Sequence, residues 1–200
     1  MPIGSGNAAA NIDDVANVDV DVAANIQIGP LDLPERDRTY SSIWDNDAPG
    51  TGHGRSMLDS PQAWSALPRR TESTSWKDAQ KPEFEQEWMQ INAGSATTVF
   101  GVRVRRRVYY NQYVTAITVQ YSIDGTSWSK VDATSSETMD GAIFTDTSGN
   151  FDARFATAVT AQYIRITVQN WVNHPSMRAG LLVNEKLTGE MSFIGVSIYH

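Results

Sequence analysis

VFGVRVRRRVYYNQYVTAITVQYSIDGTSWSKV, residues 99–131, is the stretch that decides the fold prediction. Residues 99–104 are rich in apolar and β-branched side chains, which predicts a strand. Residues 114–121 alternate between two faces, which predicts a second strand with one buried face. Asp124-Gly125 then predicts a tight turn, because glycine tolerates the backbone angles that hairpins need. The stretch therefore predicts strand, loop, strand, turn and strand.

The connection between the first two of these strands has an unusual composition. Arg105-Arg106-Arg107 is followed within six residues by Tyr109, Tyr110 and Tyr113. Three adjacent cations beside three tyrosines, on a connection between strands, predict a surface loop that binds a polar ligand with a flat face.

A longer ordered set of motifs surrounds this stretch: EWMQINAG at 87–94, VFGV at 99–102, VT at 114–115 and YSIDGTSW at 121–128. In this order and spacing they resemble the discoidin domain, also called the coagulation factor V/VIII C-type domain. The matching positions are Trp88, Gln90, Gly94, Val99, Gly101, Val102, Arg107, Val114, Thr115, Tyr121, Ser122, Asp124, Gly125 and Trp128. The resemblance implies an all-β, galactose-binding-domain-like fold, a jelly-roll β-sandwich, over residues 38–186.

Two segments flank this region. Residues 1–37 form an acidic N-terminal arm, with a strand predicted at 17–28 by unbroken alternation and ended by Gly29-Pro30. Residues 187–200 form a C-terminal tail, in which alternation at 194–198 predicts another strand. The arm strand is either an extra edge strand of the sandwich or an assembly arm. Pairing of the arm with the tail, or with a second copy, predicts a homo-oligomer.

Composition narrows the functional classes. The formal net charge is −7, and residues 1–35, which hold six carboxylates and no lysine or arginine, account for most of it. Because three clustered arginines on a net acidic chain are a small footprint, nucleic-acid binding is not expected. The absence of cysteine excludes the disulfide that closes many extracellular discoidin domains, so packing and strand pairing must hold the ends together.

The family resemblance suggests an extracellular or cell-surface location. The first residues lack the basic and apolar regions of a signal peptide. A cytoplasmic or non-classically exported protein therefore stays open. No run of the ~20 apolar residues that a membrane-spanning helix needs occurs in the sequence.

The resemblance also implies where a ligand binds. The family's sugar-binding members use loops at one rim of the barrel, and Arg107 matches the family arginine. Asp45, Trp171, Asn173 and His174 fall in the matching rim loops, while Tyr109 and Tyr110 offer a stacking face. Alternatively, Arg107 forms a structural salt bridge beneath the rim, and Trp171 is buried. The resemblance implies a glycan ligand at these loops, with a galactose-type sugar suggested by the family.

Asp45-Asn46-Asp47 is a candidate calcium site, since Ca²⁺ takes six to eight oxygen ligands. Clusters of Asp and Asn also simply form turns. The family often follows the arginine that corresponds to Arg178 with a glutamate that helps to hold a structural cation. Ala179-Gly180 follows here, so that carboxylate is missing.

No nucleophile elbow, zinc-binding helix or phosphate-binding glycine loop is present, so an enzyme is not expected. The sequence favours a non-catalytic, lectin-like recognition or adhesion module, displayed multivalently. Two alternatives stay open. The fold is the scaffold of a structural subunit in a larger assembly, or it binds phospholipid through Ile43-Trp44 and the arginines. The acidic arm makes a membrane partner the less favoured of the two.

Overall fold

A computed structural model of the protein describes residues 27–67, 87–132 and 141–185, together with the backbone of residues 137–138. The secondary structure of this part is strand except for three single 3-10 turns, at Glu35–Asp37, Trp44–Asn46 and Gly52–Gly54. The strands are β1 (Ile28–Leu31), β2 (Arg38–Tyr40), β3 (Trp64–Ser65), β4 (Trp88–Arg105), β5 (Tyr113–Ser122), β6 (Ser129–Lys130), β7 (Glu137–Thr138), β8 (Gly141–Thr145), β9 (Phe151–Val172) and β10 (Ser176–Asn184).

All paired strands run antiparallel. The main path of neighbouring strands is β1-β10-β4-β9-β5-β8-β7, with β2 added to β4, β3 to β10 and β6 to β5. Neighbours in space are mostly distant in sequence, so the chain repeatedly crosses between the two packed layers. This arrangement is a jelly-roll β-sandwich and confirms the predicted fold class.

Two long strands build most of the sandwich. β4 has 18 residues and β9 has 22, where a typical strand has about five or six. Their mutual pairing is interrupted between Asn92 and Thr97 and between Val99 and Gly101. Such irregularities bend and twist a strand. Accordingly, the first part of β4 pairs with β2 and the last part pairs with β10.

The core lies between the layers and alternates along the strands. On β4, Val102 and Val104 are buried, while Arg103 and Arg105, which alternate with them, point outward. The buried apolar residues include Trp64, Met89, Ile91, Val99, Val114, Ile117, Val119, Ile164, Ile166, Met177 and Leu181. This inward and outward alternation fixes the register, because a slip of one residue would turn the arginines into the core.

The prediction of one buried face for residues 114–121 is wrong. Consecutive residues from Ala116 to Val119 are all buried. The β5–β9 register shifts on both sides of Ala116, so the strand turns there. Thr118, on the outer face, is then covered by Gln169, whose side-chain amide donates to the Thr118 hydroxyl at 3.2 Å.

The connection between β9 and β10 is short, because β9 continues to Val172 and β10 begins at Ser176. Gly29-Pro30, which was predicted to end a strand, instead lies inside β1, which begins at Ile28. β1 pairs with β10, and no second neighbour is found for it among the described residues. An edge strand tolerates a proline, which has no N–H to donate.

Most of the predicted arm strand at 17–28, and all of the predicted tail strand at 194–198, lie outside the described residues.

A buried arginine anchors the chain just before the loop at residues 43–54. Arg38, in β2, is 2% exposed. Its guanidinium donates to the carbonyl oxygens of Leu33, Ser56 and Ala179 at 2.6–3.0 Å and to the Asp32 carboxylate at 2.8 Å. This side chain therefore connects β2, the segment that follows residue 54 and β10.

Candidate ligand-binding rim

Three loops meet at one end of the sandwich and are here called the rim: residues 43–54, 106–112 and 173–175. Trp44 and His174 join the first and third loops through an edge-to-face ring contact, with centroids 5.1 Å apart. The side-chain amide of Asn173 donates to the carbonyl oxygen of Asn111, which joins the third loop to the second. The fold thus brings together loops separated by more than 60 residues.

The first rim loop is held from below by Trp64. This tryptophan is fully buried, stacks on Tyr40 with a centroid distance of 5.7 Å and donates its ring N–H to the Ser42 carbonyl oxygen at 2.7 Å. Ile43 packs against the core from the other side. Of the apolar pair Ile43-Trp44, the first residue is therefore a packing residue, while Trp44 belongs to the rim.

Arg107 lies at the base of the second rim loop. It is 8% exposed, and its terminal nitrogens donate to the side-chain oxygens of Gln112 at 2.8 Å and Gln62 at 3.0 Å. Its buried Nε has no hydrogen-bond partner among the described residues. Burial lowers the pKa of the guanidinium from its ordinary value. The predicted alternative of a salt bridge is not found, since the partners of Arg107 within the described part of the chain are neutral amides.

The tyrosines of this loop occupy different positions. Tyr110 is half-exposed, and the Arg107 guanidinium carbon lies 4.0 Å from its ring centroid, a cation–π contact. Tyr109 is 92% exposed and has a positive φ of 66°, a conformation that is uncommon for a bulky residue. Tyr113 begins β5, and the guanidinium carbon of Arg106 lies 4.6 Å from its ring centroid. Two tyrosines are therefore stacked under arginines, and the third stands out from the surface.

His174 is a neutral residue in the rim. Burial is the main cause that lowers its pKa to about 4, and the charges of Arg107 and His53 lower it further. Its Nε2 lies 2.9 Å from the Ala66 carbonyl oxygen, so the neutral ring carries its proton there and donates it.

The remaining predicted positions are more dispersed. Asp45 is exposed and has a positive φ of 61°. Asn173 is exposed, also with a positive φ, of 59°. Trp171 lies on β9, opposite Val114, and packs partly buried against the core. This position agrees in part with the burial alternative for Trp171, and a contact of its exposed part with a ligand stays a prediction.

The Asp45-Asn46-Asp47 segment forms a turn in which Asp45 and Asn46 both have positive φ. The Asp47 carboxylate accepts from the backbone N–H of His53 at 2.8 Å and lies 2.8 Å from its Nδ1, and these contacts lower the pKa of Asp47. Within the described residues, no three His, Asp or Glu side chains gather in a way that would hold a metal ion. Asp47 thus has a structural role, the fit to calcium is poor, and calcium binding stays a prediction.

The sequence reasoning missed three contributors to the rim. Gln62 and Gln112 hold Arg107, but isolated glutamines give no sequence signal. His53 sits 6.4 Å from the Trp44 ring and orients Asp47. Its place in a glycine-rich loop concealed this role. For Ile43-Trp44 the sequence allowed either an apolar lipid contact or packing beneath the loops, and it did not indicate the contact of Trp44 with His174.

The fold is an antiparallel β-sandwich with a rim of three loops at one end. A family model described as the F5/8 type C domain matches residues 41–181, and the chain belongs to this family, as its motifs predicted. Lactadherin from Sus scrofa is 34% identical over 104 residues, which cover 48% of this chain and 24% of lactadherin. The chain therefore spans about a quarter of that curated relative.

Solved structures share the fold at low sequence identity. An F5/8 type C domain from Bacteroides fragilis has a TM-score of 0.54 at 12% identity, covering 78% of this chain and 98% of that chain. The family 32 carbohydrate-binding module of NanJ from C. perfringens, solved in complex with galactose, has a TM-score of 0.52 at 17% identity, covering 77% and 99%. A chitosan-binding module from Paenibacillus sp. has a TM-score of 0.51 at 21% identity, covering 77% and 99%.

No helix in the described part of the chain is long and apolar enough to span a bilayer.

Proposed function

We propose that the protein is a non-catalytic glycan-binding module that recognises a galactose-type sugar at the rim. The observation that carries this proposal is Arg107, a desolvated guanidinium held by two glutamine oxygens and stacked on Tyr110. Sugars offer adjacent hydroxyls to such a donor and apolar C–H faces to aromatic rings. Galactose- and chitosan-binding modules with the same fold support the proposal.

The rim suits a small polar ligand better than a membrane. The exposed large apolar residues of the described chain are Tyr109, Tyr110 and Ile123, and two of them carry hydroxyl groups. Trp44 is engaged with His174, and Ile43 is packed on the core. A lipid-binding surface needs several exposed apolar side chains beside basic residues, so a glycan is the better match.

Multivalent display is part of the proposal. A shallow rim that grips one sugar binds weakly, and joining several rims raises the effective concentration. The segments proposed to join copies are residues 1–26, which include most of the alternating pattern at 17–28, and the alternating tail at 194–198. An extracellular or cell-surface location, where glycans are displayed, accords with this role and stays a prediction.

A glycan array with the purified protein, with and without EDTA, tests the proposal. Arg107→Met keeps the apolar stem and removes the donors, and we expect it to abolish binding to the sugars that the wild type retains. Arg165→Met is the matched control, because Arg165 also stacks on aromatic rings and bonds a glutamine, Gln90, but lies on β9 away from the rim. Absence of wild-type binding across the array, or equal loss in both variants, would overturn the proposal.

A further inference from the structure

We propose that the glycan is an acidic polysaccharide, and that it runs from the rim across the outer surface of β4 and β9. This inference rests on the proposed function. The surface is here called the arginine track, and its members are Arg103, Arg105, Arg106, Arg107 and Arg154. It gives the rim a preference for carboxylated or sulfated sugars over neutral ones.

Strand alternation places the track on one surface. Val102 and Val104 point into the core, so Arg103 and Arg105 point outward from β4. On β9, Ala153 is buried, so Asp152 and Arg154 point outward from the neighbouring strand. The register sets Arg103 opposite Asp152 and Gly101 opposite Arg154. The outer surface of this strand pair is therefore lined by arginine.

The positive charge of this surface is only partly balanced. Arg103 binds Asp152 with two hydrogen bonds of 2.7 Å, and Arg105 lies 3.7 Å from the same carboxylate. Arg105 otherwise donates to the carbonyl oxygen of Val104 at 2.8 Å, and burial and the charge of Arg103 lower its pKa. The negative charge of Glu185 also helps to raise the pKa of Arg103. Ion pairs within the described residues thus leave an excess of positive charge around Asp152.

The rim end of the track has no counter-charge in its contacts. Arg106 reaches the side-chain oxygen of Asn111 at 3.3 Å and lies over Tyr113. Arg107 reaches two glutamine oxygens. Within the described part of the chain, neither arginine forms an ion pair with a carboxylate. Burying a charge without a counter-charge is costly. A ligand carboxylate or sulfate would supply the counter-charge through charge-assisted hydrogen bonds.

The length of the track indicates a polymer and not a single sugar. On β4, from Arg103 to Arg105, the chain advances roughly 7 Å at about 3.3 Å per residue, and Arg106 and Arg107 continue the track into the loop beyond the strand. The rim loop 43–54 contributes two carboxylates: Asp47 is engaged by His53, and Asp45 is exposed to solvent, which screens its charge. An extended anionic chain can therefore contact Arg107 with one unit and the outer arginines with the following units.

Titration calorimetry with three probes tests the inference: oligogalacturonate, the same oligosaccharide with its carboxyl groups reduced, and a heparin oligosaccharide. We expect both anionic probes to bind more tightly than the neutral probe and to weaken as salt is raised from 0.05 to 0.5 M. A preference between the two anionic probes tells carboxylate from sulfate recognition. Arg105→Gln and Arg154→Gln should each weaken anionic binding by roughly twofold to fivefold, the range of a surface ion pair, and leave neutral binding unchanged.

Lys130→Gln is the control, because it removes one positive charge, as each of the arginine variants does. Lys130 pairs across from Gln120, at the end of β5 remote from the rim, and its substitution should leave all three affinities unchanged. Equal affinity for the anionic and reduced probes would overturn the acidic-glycan inference while leaving the glycan-binding proposal intact. Equal weakening by Lys130→Gln would reduce the preference to net charge and also overturn it. If wild type binds no glycan at all, both proposals fail.

Discussion

Arg38→Met is expected to destabilise the protein far more than its surface counterpart. The substitution removes the guanidinium and leaves the carbonyl oxygens of Leu33, Ser56 and Ala179 without this donor, beside the Asp32 carboxylate. Because Arg38 is 2% exposed, water cannot readily replace it. Breaking a buried ion pair of this kind costs about 3–5 kcal/mol. That is a large share of the ~5–15 kcal/mol that holds a domain together.

The matched control is Arg103→Met, which breaks an ion pair of equally good geometry. Arg103 and Asp152 have side chains 25% and 23% exposed, so solvent screens the pair and compensates its loss, and the expected cost is about 0–1 kcal/mol. Chemical denaturation of both variants gives the two free energies of unfolding. For a domain of this size, the Arg38 variant should also melt about 6–20 °C below wild type. Equal costs for the two variants would refute the argument that burial decides the contribution.

Two further predictions concern pH and assembly. The pKa of His174 is lowered from 6.5 to about 4 in the folded protein, so its contribution to stability is fully present above pH 6.5 and is lost as the pH falls toward 4. The melting temperature should therefore decline between pH 7 and 4.5, and His174→Gln should flatten this decline. An unchanged decline in the variant would contradict the assignment. Deletion of residues 1–26, which leaves β1 intact, should convert an oligomer to a monomer in light scattering without loss of solubility, whereas a monomeric full-length protein would defeat the assembly proposal.

The fold was predictable because its signals are local and repeated. Alternation at 114–121, the Asp124-Gly125 turn and the spacing from Trp88 to Trp128 each depend on neighbouring residues. The burial of both faces of β5 was not predictable. It depends on a register shift near Ala116 and on Gln169, which comes from another strand. Sequence alternation describes a single strand and contains no information on what covers its outer face.

The rim was predicted only where the residues that build it are close together in the sequence. Arg107 and Tyr110 are close in sequence, and the structure stacks one on the other. The partners Gln62 and Gln112, and the contact of Trp44 with His174, arise only when the sandwich closes. Trp171 looked equivalent to the other rim residues, but its position on β9 places it against the core.

The pairing of β1 with β10 has a consequence for biosynthesis. Ile28 lies opposite Asn184, and Leu31 lies opposite Leu181, so the first described strand cannot find its partner until residues 181–184 have left the ribosome, about 150 residues later. Contacts of such sequence separation are slow to form, because the intervening chain must be ordered first. During translation the exposed edge of β1 is open to pairing with other chains. This nascent segment is therefore the part of the molecule for which a chaperone would matter most.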